Sequence, residues 1–238
     1  MRKETLKKTQ RLRGKKITQI NSNALLKIQK NIMAAQNSNI IIIAVTKTRP
    51  LSSIESAIKN QIYNIGENKV QETERKLKNF KAPKKMKTHL IGHLQKNKVR
   101  KAIKLYDYIQ TVDTLSLAKR INKIAEEENK TQKIFLQINI GNINNRVGFL
   151  TKEIESASRV IKEHKNISIV GVMIIPPQTE DKKKYYNYFK RAKKIQVKIK
   201  NQIKTCNYIS MGMTSDYKEA IKAGATHIRI GTALFGER

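Results

Sequence analysis

The sequence predicts an α/β protein that folds as a single (β/α)8 barrel of the TIM type, with one additional helix at its N-terminus. Eight short runs rich in β-branched residues alternate with polar segments of helical periodicity. This alternation is typical of parallel strands joined by right-handed crossovers. The length of 238 residues also suits one such barrel. An open, doubly wound sheet is the alternative that the same alternation allows.

The predicted elements follow one another in a regular order. Apolar residues at three- and four-residue spacing predict the additional helix, namely Ile17, Ile20, Ala24, Ile28 and Ile32. Strands are predicted at 40–45, 61–65, 88–92, 106–112, 134–140, 167–175, 207–211 and 227–232. Helices are predicted at 51–60, 70–79, 94–104, 114–128, 151–164, 181–204 and 215–223. No linker interrupts residues 17–238, so we predict one domain there, preceded by a basic segment at 1–16 that we expect to be flexible.

The composition is strongly basic, with a formal charge of +32 from 50 Lys and Arg against 18 Asp and Glu. Such a charge attracts polyanions, which makes a nucleic-acid-binding barrel one candidate function. The lysines are spread along the whole chain, however, and Lys, Asn and Ile, which share A/T-rich codons, are all abundant. Aromatic residues that could stack on bases make up only 5% of the chain. We therefore expect an ordinary solvated surface and no nucleic-acid partner.

The sequence gives no sign of export or of a membrane segment. Cys206 is the only cysteine, so no disulfide framework can form within the chain. The longest apolar run, 40–45, is far shorter than the ~20 residues that a membrane-spanning helix needs. The basic start lacks the apolar stretch of a secretory signal. We expect a cytoplasmic protein that does not interact with membranes.

The first strand delivers a lysine to the place where barrels carry their active groups, the C-terminal ends of the strands. The segment reads AVTKTRP, and Lys47 follows the apolar run directly. Partial desolvation at the mouth of a barrel would make its amine available for imine chemistry. A lysine that merely extends its ammonium into solvent from a strand end is the alternative.

The second and third strands end in polar residues that could face the same mouth. Gly66, Glu67 and Asn68 follow the second strand, where Asn68 could also cap the next helix. His89 and His93 are four residues apart around the third strand end, but Gly92 interrupts the geometry and no carboxylate completes a metal site. We predict no metal there, and expect His93 either to contact a ligand or to cap a helix.

The last two strands end in sequences that suit a bound phosphate. Barrels often hold a phosphate there on backbone N–H groups and helix N-termini. Hydroxyl groups that could add donors, and glycines that would let the backbone approach an anion, are present at Ser210, Gly212, Thr214, Gly231 and Thr232. A tight barrel closure with ordinary helix caps is the alternative reading of the same residues.

One ligand would satisfy both the lysine and the phosphate site. Arg229 lies two residues before Gly231, so its side chain points to the same face of the strand and could reach a ring held above the phosphate. A lysine at one strand end and a phosphate site at two others suggest an aldehyde that carries a phosphate, and pyridoxal 5′-phosphate fits this description. Aldolases combine the same two features, so the inference is not unique.

At this point the motifs identify a family. The stretches AVTKTRP, IGENKVQE, HLIGHLQKNK, TVDT, GVMIIPP and SMGMTSDYKEAIKAGATHIRIGTALFGER occur in an order and spacing that resemble the YggS/PROSC family of pyridoxal phosphate homeostasis proteins. The resemblance covers residues 17–238 and implies an alanine-racemase-like barrel, the type III fold of pyridoxal-phosphate proteins. The loop 141–148 departs from the usual family sequence, so its role stays open.

The resemblance implies a role for each candidate residue. Lys47 corresponds to the lysine that holds the cofactor as a Schiff base, and Asn68 lies near the cofactor. Arg229 corresponds to the arginine that faces the pyridine nitrogen. The positions around the phosphate are matched by Ser210, Thr214, Gly231 and Thr232.

The resemblance also implies a function without a dedicated catalytic turnover. Family members are thought to store, protect or deliver pyridoxal phosphate, and apo-enzymes that depend on the cofactor are possible acceptors. An arginine at the ring nitrogen does not protonate it as a carboxylic acid would, which weakens the cofactor as an electron sink. We also expect a monomer without the second β domain of racemases. An amino-acid racemase or decarboxylase is the alternative, and a nucleic-acid-binding barrel is the second alternative.

Overall fold

The computed structural model describes residues 19–35 and 39–237. The expected flexible segment at 1–16 lies outside the described residues, as does Ile17. Helix α1 (Ser22–Ala34) confirms the additional N-terminal helix, although it begins later than the apolar spacing predicts. The side chain of Asn21 caps this end by accepting a hydrogen bond from the N–H of Ala24. The N–H of Asn21 donates to the carbonyl of Leu234, which ties the helix to the end of the barrel.

The strands of the described chain form one closed parallel barrel. They are β1 (Ile41–Val45), β2 (Asn64–Glu67), β3 (Lys87–Leu90), β4 (Tyr108–Val112), β5 (Gln132–Asn139), β6 (Phe149–Leu150), β7 (Ile167–Ile174), β8 (Tyr208–Ser210) and β9 (His227–Ile230). Strand β1 pairs with both β2 and β9, and β4 pairs with β5, so eight strands close into a ring and β6 adds a short pairing to the end of β5. The (β/α)8 prediction is confirmed, and the open sheet was the wrong alternative.

Seven helices of the described chain follow the strands in the predicted positions, and an eighth, after the last strand, was not predicted. They are α2 (Leu51–Lys59), α3 (Val70–Leu77), α4 (Val99–Leu105), α5 (Leu115–Glu127), α6 (Ile154–Lys162), α7 (Lys182–Gln202), α8 (Tyr217–Lys222) and α9 (Thr232–Phe235), with a 3-10 turn at Lys96–Lys98 before α4. Side-chain caps fix where several of them begin: Thr114 accepts from the N–H of Leu117, and Asp181 accepts from the N–H groups of Lys183 and Lys184. None of the helices described here is long and apolar enough to cross a membrane.

Two kinds of side chain fill the two sides of the barrel wall. Strand β9 reads HIRI, and all four residues are buried. Ile228 and Ile230 belong to the large apolar core that also contains the helix residues, whereas His227 packs edge-on against Phe135 on the other side of the wall. The barrel interior therefore holds aromatic and polar side chains, whereas the layer between strands and helices is apolar. The polar side chains inside the barrel include two of the predicted site residues, Ser210 and Arg229.

Candidate functional site

Three predicted site segments lie at neighbouring strand ends. Strand β1 is in register with β2 through Val45 and Gly66, and with β9 through Ala44 and Ile230. Lys47, which follows β1, is therefore flanked by the segment that follows β2 and by the segment that follows β9. The first of these carries Asn68, and the second begins with Gly231. The parallel register thus places the lysine between two of the strand ends that the sequence singled out.

The segment that carries Lys47 is anchored to its surroundings. Lys47 is partly buried, between a fully buried Thr46 and an exposed Thr48. The hydroxyl of Thr46 donates to Oε1 of Glu67 over 2.6 Å, and the N–H of Thr48 donates to Oε1 of Glu72 over 2.5 Å. Thr48 has a φ of 62°, in the left-handed region that side chains other than glycine seldom adopt. Both neighbours of Lys47 are therefore held by carboxylates.

The loop after β8 and the segment after β9 are joined to each other. The Oγ1 of Thr214 accepts a hydrogen bond from the N–H of Ala233, which lies in the first turn of α9. Gly212 has a φ of +92°, and a Cβ at this position would lie 2.6 Å from the Cβ of Ala220, so only glycine suits this turn. The N–H of Met213 donates to Oδ1 of Asp216, the residue before α8. These contacts hold the two predicted phosphate-binding segments in a fixed position relative to each other.

Gly231 makes a close approach to the strand that carries the lysine. A Cβ built on Gly231 would lie only 3.3 Å from the Cβ of Val45, which is tighter than ordinary packing. Thr232, the next residue, is exposed at the start of α9. The segment after β9 therefore begins in close contact with the strand that leads to Lys47.

Arg229 lies inside the barrel, and its guanidinium is held in place by two contacts. Nη1 donates to Oγ of Ser210 and Nη2 donates to the carbonyl of Ile174, both over 2.8 Å. Burial lowers the pKa of Arg229 to about 10, although the charge of Asp216 acts in the opposite direction. The guanidinium is still charged at neutral pH. Arg229 is thus a fixed cation below the barrel mouth.

A chain of hydrogen bonds continues from Arg229 across the interior. Ser210 donates to Oε1 of Gln110 over 2.7 Å, so the amide N–H2 of Gln110 faces Nδ1 of His89 at 2.9 Å. The other ring nitrogen of His89 lies 3.0 Å from Oδ1 of Asn64 and must be the one that carries the proton. Burial holds the pKa of His89 well below its usual value, so the ring is neutral. The donor and the acceptor of each hydrogen bond from Arg229 to Asn64 are therefore defined.

These hydrogen bonds bear on the prediction that Ser210 binds a phosphate. Its hydroxyl is fully buried and donates to Gln110, so Ser210 reaches a phosphate only if that hydrogen bond is exchanged. Its place among the phosphate donors stays a prediction, as do those of Gly212, Thr214, Gly231 and Thr232. In the described structure, Ser210 orients Arg229 instead.

The two histidines of the third strand end point to different places. His89 stacks on Tyr108 inside the barrel, with ring centroids 4.6 Å apart. His93 is largely exposed, and its Nδ1 lies 3.2 Å from Oδ2 of the buried Asp113, in a pocket that Arg146 also lines. Within residues 19–35 and 39–237, no three His, Cys, Asp or Glu side chains are grouped so that they could hold a metal. Contact of His93 with a ligand stays a prediction.

Sequence reasoning missed the ionic residues behind Lys47. Glu67 is buried and bonded to Thr46, whereas the sequence predicted a polar group directed towards the mouth. Lys76 on α3 contacts Glu67 and Glu72, and the sequence did not predict either ion pair. The spacing of Glu72 and Lys76 by four residues was the available signal, because such pairs lie on one face of a helix.

Known proteins resemble this chain over most of its length. The family model for the alanine racemase N-terminal domain matches residues 20–238. The pyridoxal phosphate homeostasis protein of Synechocystis sp. is 35% identical over 212 residues, which cover 89% of this chain and 97% of that protein. The protein of the same name from Escherichia coli K12 is 34% identical and covers 84% of this chain and 86% of its own length.

Solved structures agree with the fold. The structure of PipY from Synechococcus elongatus with PLP bound is 30% identical, has a TM-score of 0.77, and covers 88% of this chain and all of that one. Alanine racemase of Clostridium difficile in complex with cycloserine is 17% identical with a TM-score of 0.74, over 92% of this chain and 61% of that one. The second likeness concerns the fold alone. The barrel predicted from the sequence is thus of the alanine-racemase type.

Proposed function

This chain belongs to the family of pyridoxal phosphate homeostasis proteins, which are built on the alanine racemase N-terminal domain, and we propose that it binds pyridoxal 5′-phosphate through a Schiff base on Lys47. In this role it takes part in the intracellular homeostasis of vitamin B6. The observation that carries the proposal is the position of Lys47 at the end of β1, between the strand ends that carry Asn68 and Gly231.

The residues present fit a phosphorylated aldehyde. The amine of Lys47 would add to the aldehyde carbon and form a C=N bond with loss of one water molecule. Thr214 and Thr232 offer hydroxyl groups near the joined segments after β8 and β9, and Gly231, which has no side chain, lies against β1. This donor set suits a phosphate, which barrels of this kind commonly bind at the same two strand ends. One molecule would then bridge the lysine and the phosphate segments.

Arg229 favours retention of the cofactor over turnover. Its guanidinium keeps its proton at neutral pH even with its pKa lowered to about 10, so it is too weak an acid to protonate a pyridine nitrogen. A ring nitrogen that is not protonated makes pyridoxal phosphate a weaker electron sink and so damps carbanion chemistry. We therefore propose a carrier that hands the cofactor to apo-enzymes, acts in the cytoplasm as a monomer, and has no dedicated reaction.

A titration tests this function directly. Addition of pyridoxal phosphate to the purified protein should shift the absorbance of the free aldehyde to that of a Schiff base, because only the imine couples the ring to a lysine nitrogen. Lys47→Ala should abolish this absorbance. Lys69→Ala removes an exposed lysine two residues beyond Glu67 and should leave the absorbance unchanged. A Lys47→Ala protein with the same Schiff-base absorbance as the wild type would refute the assignment.

One observation favours an amino-acid racemase or decarboxylase as the second candidate. The 3.2 Å contact between His93 and Asp113 is the kind of pair that serves in acid–base catalysis. Such an enzyme, incubated with single L-amino acids, would form D-isomers or amines at a rate that His93→Gln lowers. A carrier would form neither. Retention of DNA that falls steeply with salt and persists in Lys47→Ala would instead favour nucleic-acid binding.

A further inference from the structure

Lys76 is a nearly buried lysine with a full set of acceptors. Its side chain on α3 is only 9% exposed. The ammonium donates to the carbonyl of Thr46 over 2.8 Å, to Oε1 of Glu67 over 2.7 Å, and it lies 2.7 Å from Oε1 of Glu72. An ammonium has three N–H groups, and three oxygens surround this one. Lys76 therefore sits at the centre of a fixed cluster.

The two carboxylates of the cluster hold the two neighbours of Lys47. Oε1 of Glu67 receives the hydroxyl of Thr46 as well as Lys76, and Oε1 of Glu72 receives the N–H of Thr48. Lys76 also binds the carbonyl of Thr46 directly. The backbone is thus fixed immediately before and immediately after Lys47 by one group of three charged side chains.

The cluster has a free-energy cost, which arises from its buried charges and from the strained backbone beside it. Burial raises the pKa of Glu67, an effect that Lys76 opposes, and Oε2 of Glu67 has no hydrogen-bond partner among the described residues. A buried ion pair often contributes less to stability than apolar side chains of similar volume. The left-handed φ of Thr48 adds a further cost, and backbone strain of this kind clusters at functional sites. Stability alone therefore gives a weak reason for this arrangement.

We propose that Lys76, with Glu67 and Glu72, is a positioning cluster that fixes the backbone on both sides of Lys47 and so aims its amine at the aldehyde of the bound cofactor. The proposal rests on the proposed function. Its physical basis is orientation, since bond formation between two held groups depends on their mutual geometry. Loss of the cluster should weaken the covalent link and leave the binding of the phosphate and ring in place.

Two ligands separate positioning from simple binding. Pyridoxal 5′-phosphate carries the aldehyde, whereas pyridoxine 5′-phosphate has an alcohol at the same carbon and cannot form an imine. In Lys76→Met, we expect the Kd for pyridoxal phosphate to rise roughly tenfold or more, the effect of losing hydrogen bonds to a charged group. The Kd for pyridoxine phosphate should stay within about twofold, and the Schiff-base absorbance at saturation should fall.

Two further variants keep the test decisive. Lys101→Met removes an exposed lysine on α4 that contacts Glu74 on α3, the helix that carries Lys76. Both Kd values of this variant should match those of the wild type. Glu72→Gln keeps an oxygen for the N–H of Thr48 but removes one charge beside Lys76, so it should show a smaller loss of the same selective kind. It also serves as the test if Lys76→Met does not fold.

The possible outcomes distinguish the two claims. The positioning role is refuted if Lys76→Met, or Glu72→Gln in its place, binds pyridoxal phosphate as the wild type does. It is refuted equally if both ligands lose affinity in parallel, because that pattern indicates a general structural role. The proposed function itself fails if the wild type and Lys47→Ala bind pyridoxal phosphate alike. A selective loss in the cluster variants, with Lys47→Ala showing the largest selective loss, supports both.

Discussion

Replacement of Arg229 by methionine should lower the free energy of unfolding by about 3 kcal/mol or more, measured by urea denaturation. Arg229 is 4% exposed, and its guanidinium donates to Ser210 and to the carbonyl of Ile174. Methionine fills much of the same space but leaves both acceptors without their donor. It also removes the cation that lowers the pKa of the buried Asp216 against the larger, opposite effect of burial.

Arg159→Met is the matched control for this variant. Arg159 is an exposed arginine on α6, and its replacement should change the free energy of unfolding by less than about 0.5 kcal/mol. Equal stabilities for the two variants would mean that the hydrogen-bond chain through Ser210 and Gln110 contributes nothing to the fold. Such a result would also remove the reason to regard Arg229 as a fixed group.

Acid should destabilise the protein as the pH falls from about 6.5 towards 4. Burial, with a smaller effect from Arg229, lowers the pKa of His227 from 6.5 to about 4. A depressed pKa in the folded state means that folding is favoured by the neutral ring above pH 6.5, and that this contribution is lost as the unfolded chain takes up the proton first. For a shift of this size the loss is about 3 kcal/mol. The neutral, buried His89 adds to it in the same direction.

The pH dependence can be assigned with two variants. His227→Gln should flatten the fall in the free energy of unfolding between pH 7 and pH 4, measured by urea denaturation at several pH values. His164→Gln, which changes a partly exposed histidine at the end of α6, should leave the slope as in the wild type. A slope that is unchanged in His227→Gln would show that the acid sensitivity arises elsewhere.

The alternation of strands and helices predicted the barrel because local patterns determine it. Each predicted strand and helix has a counterpart in the structure, and the count of eight strands favoured closure over the open sheet. Boundaries were less predictable where a single side chain sets them. The apolar spacing extends α1 back to Ile17, yet Asn21 caps the helix and moves its described start to Ser22.

The orientation of polar residues within the strands could not be predicted from the sequence. Parallel strands are buried on both faces, so the pattern does not say which residues enter the barrel. Ser210 was predicted to lie at the mouth, but its hydrogen bond to Gln110 directs its hydroxyl into the barrel interior. Glu67 is likewise drawn to Thr46 and Lys76. Contacts between residues far apart in sequence decide these positions, and local periodicity carries no information on them.

Reduction of the protein loaded with pyridoxal phosphate tests the central claim most directly. Borohydride converts a Schiff base into a stable secondary amine, so the modified lysine can be found by proteolysis and mass spectrometry. With 38 lysines in the chain, nonspecific labelling would spread over many peptides. We predict that the label lies on the peptide containing Lys47 and is absent from Lys47→Ala. Labelling of other lysines to the same extent, or of Lys47→Ala as strongly as the wild type, would contradict the account.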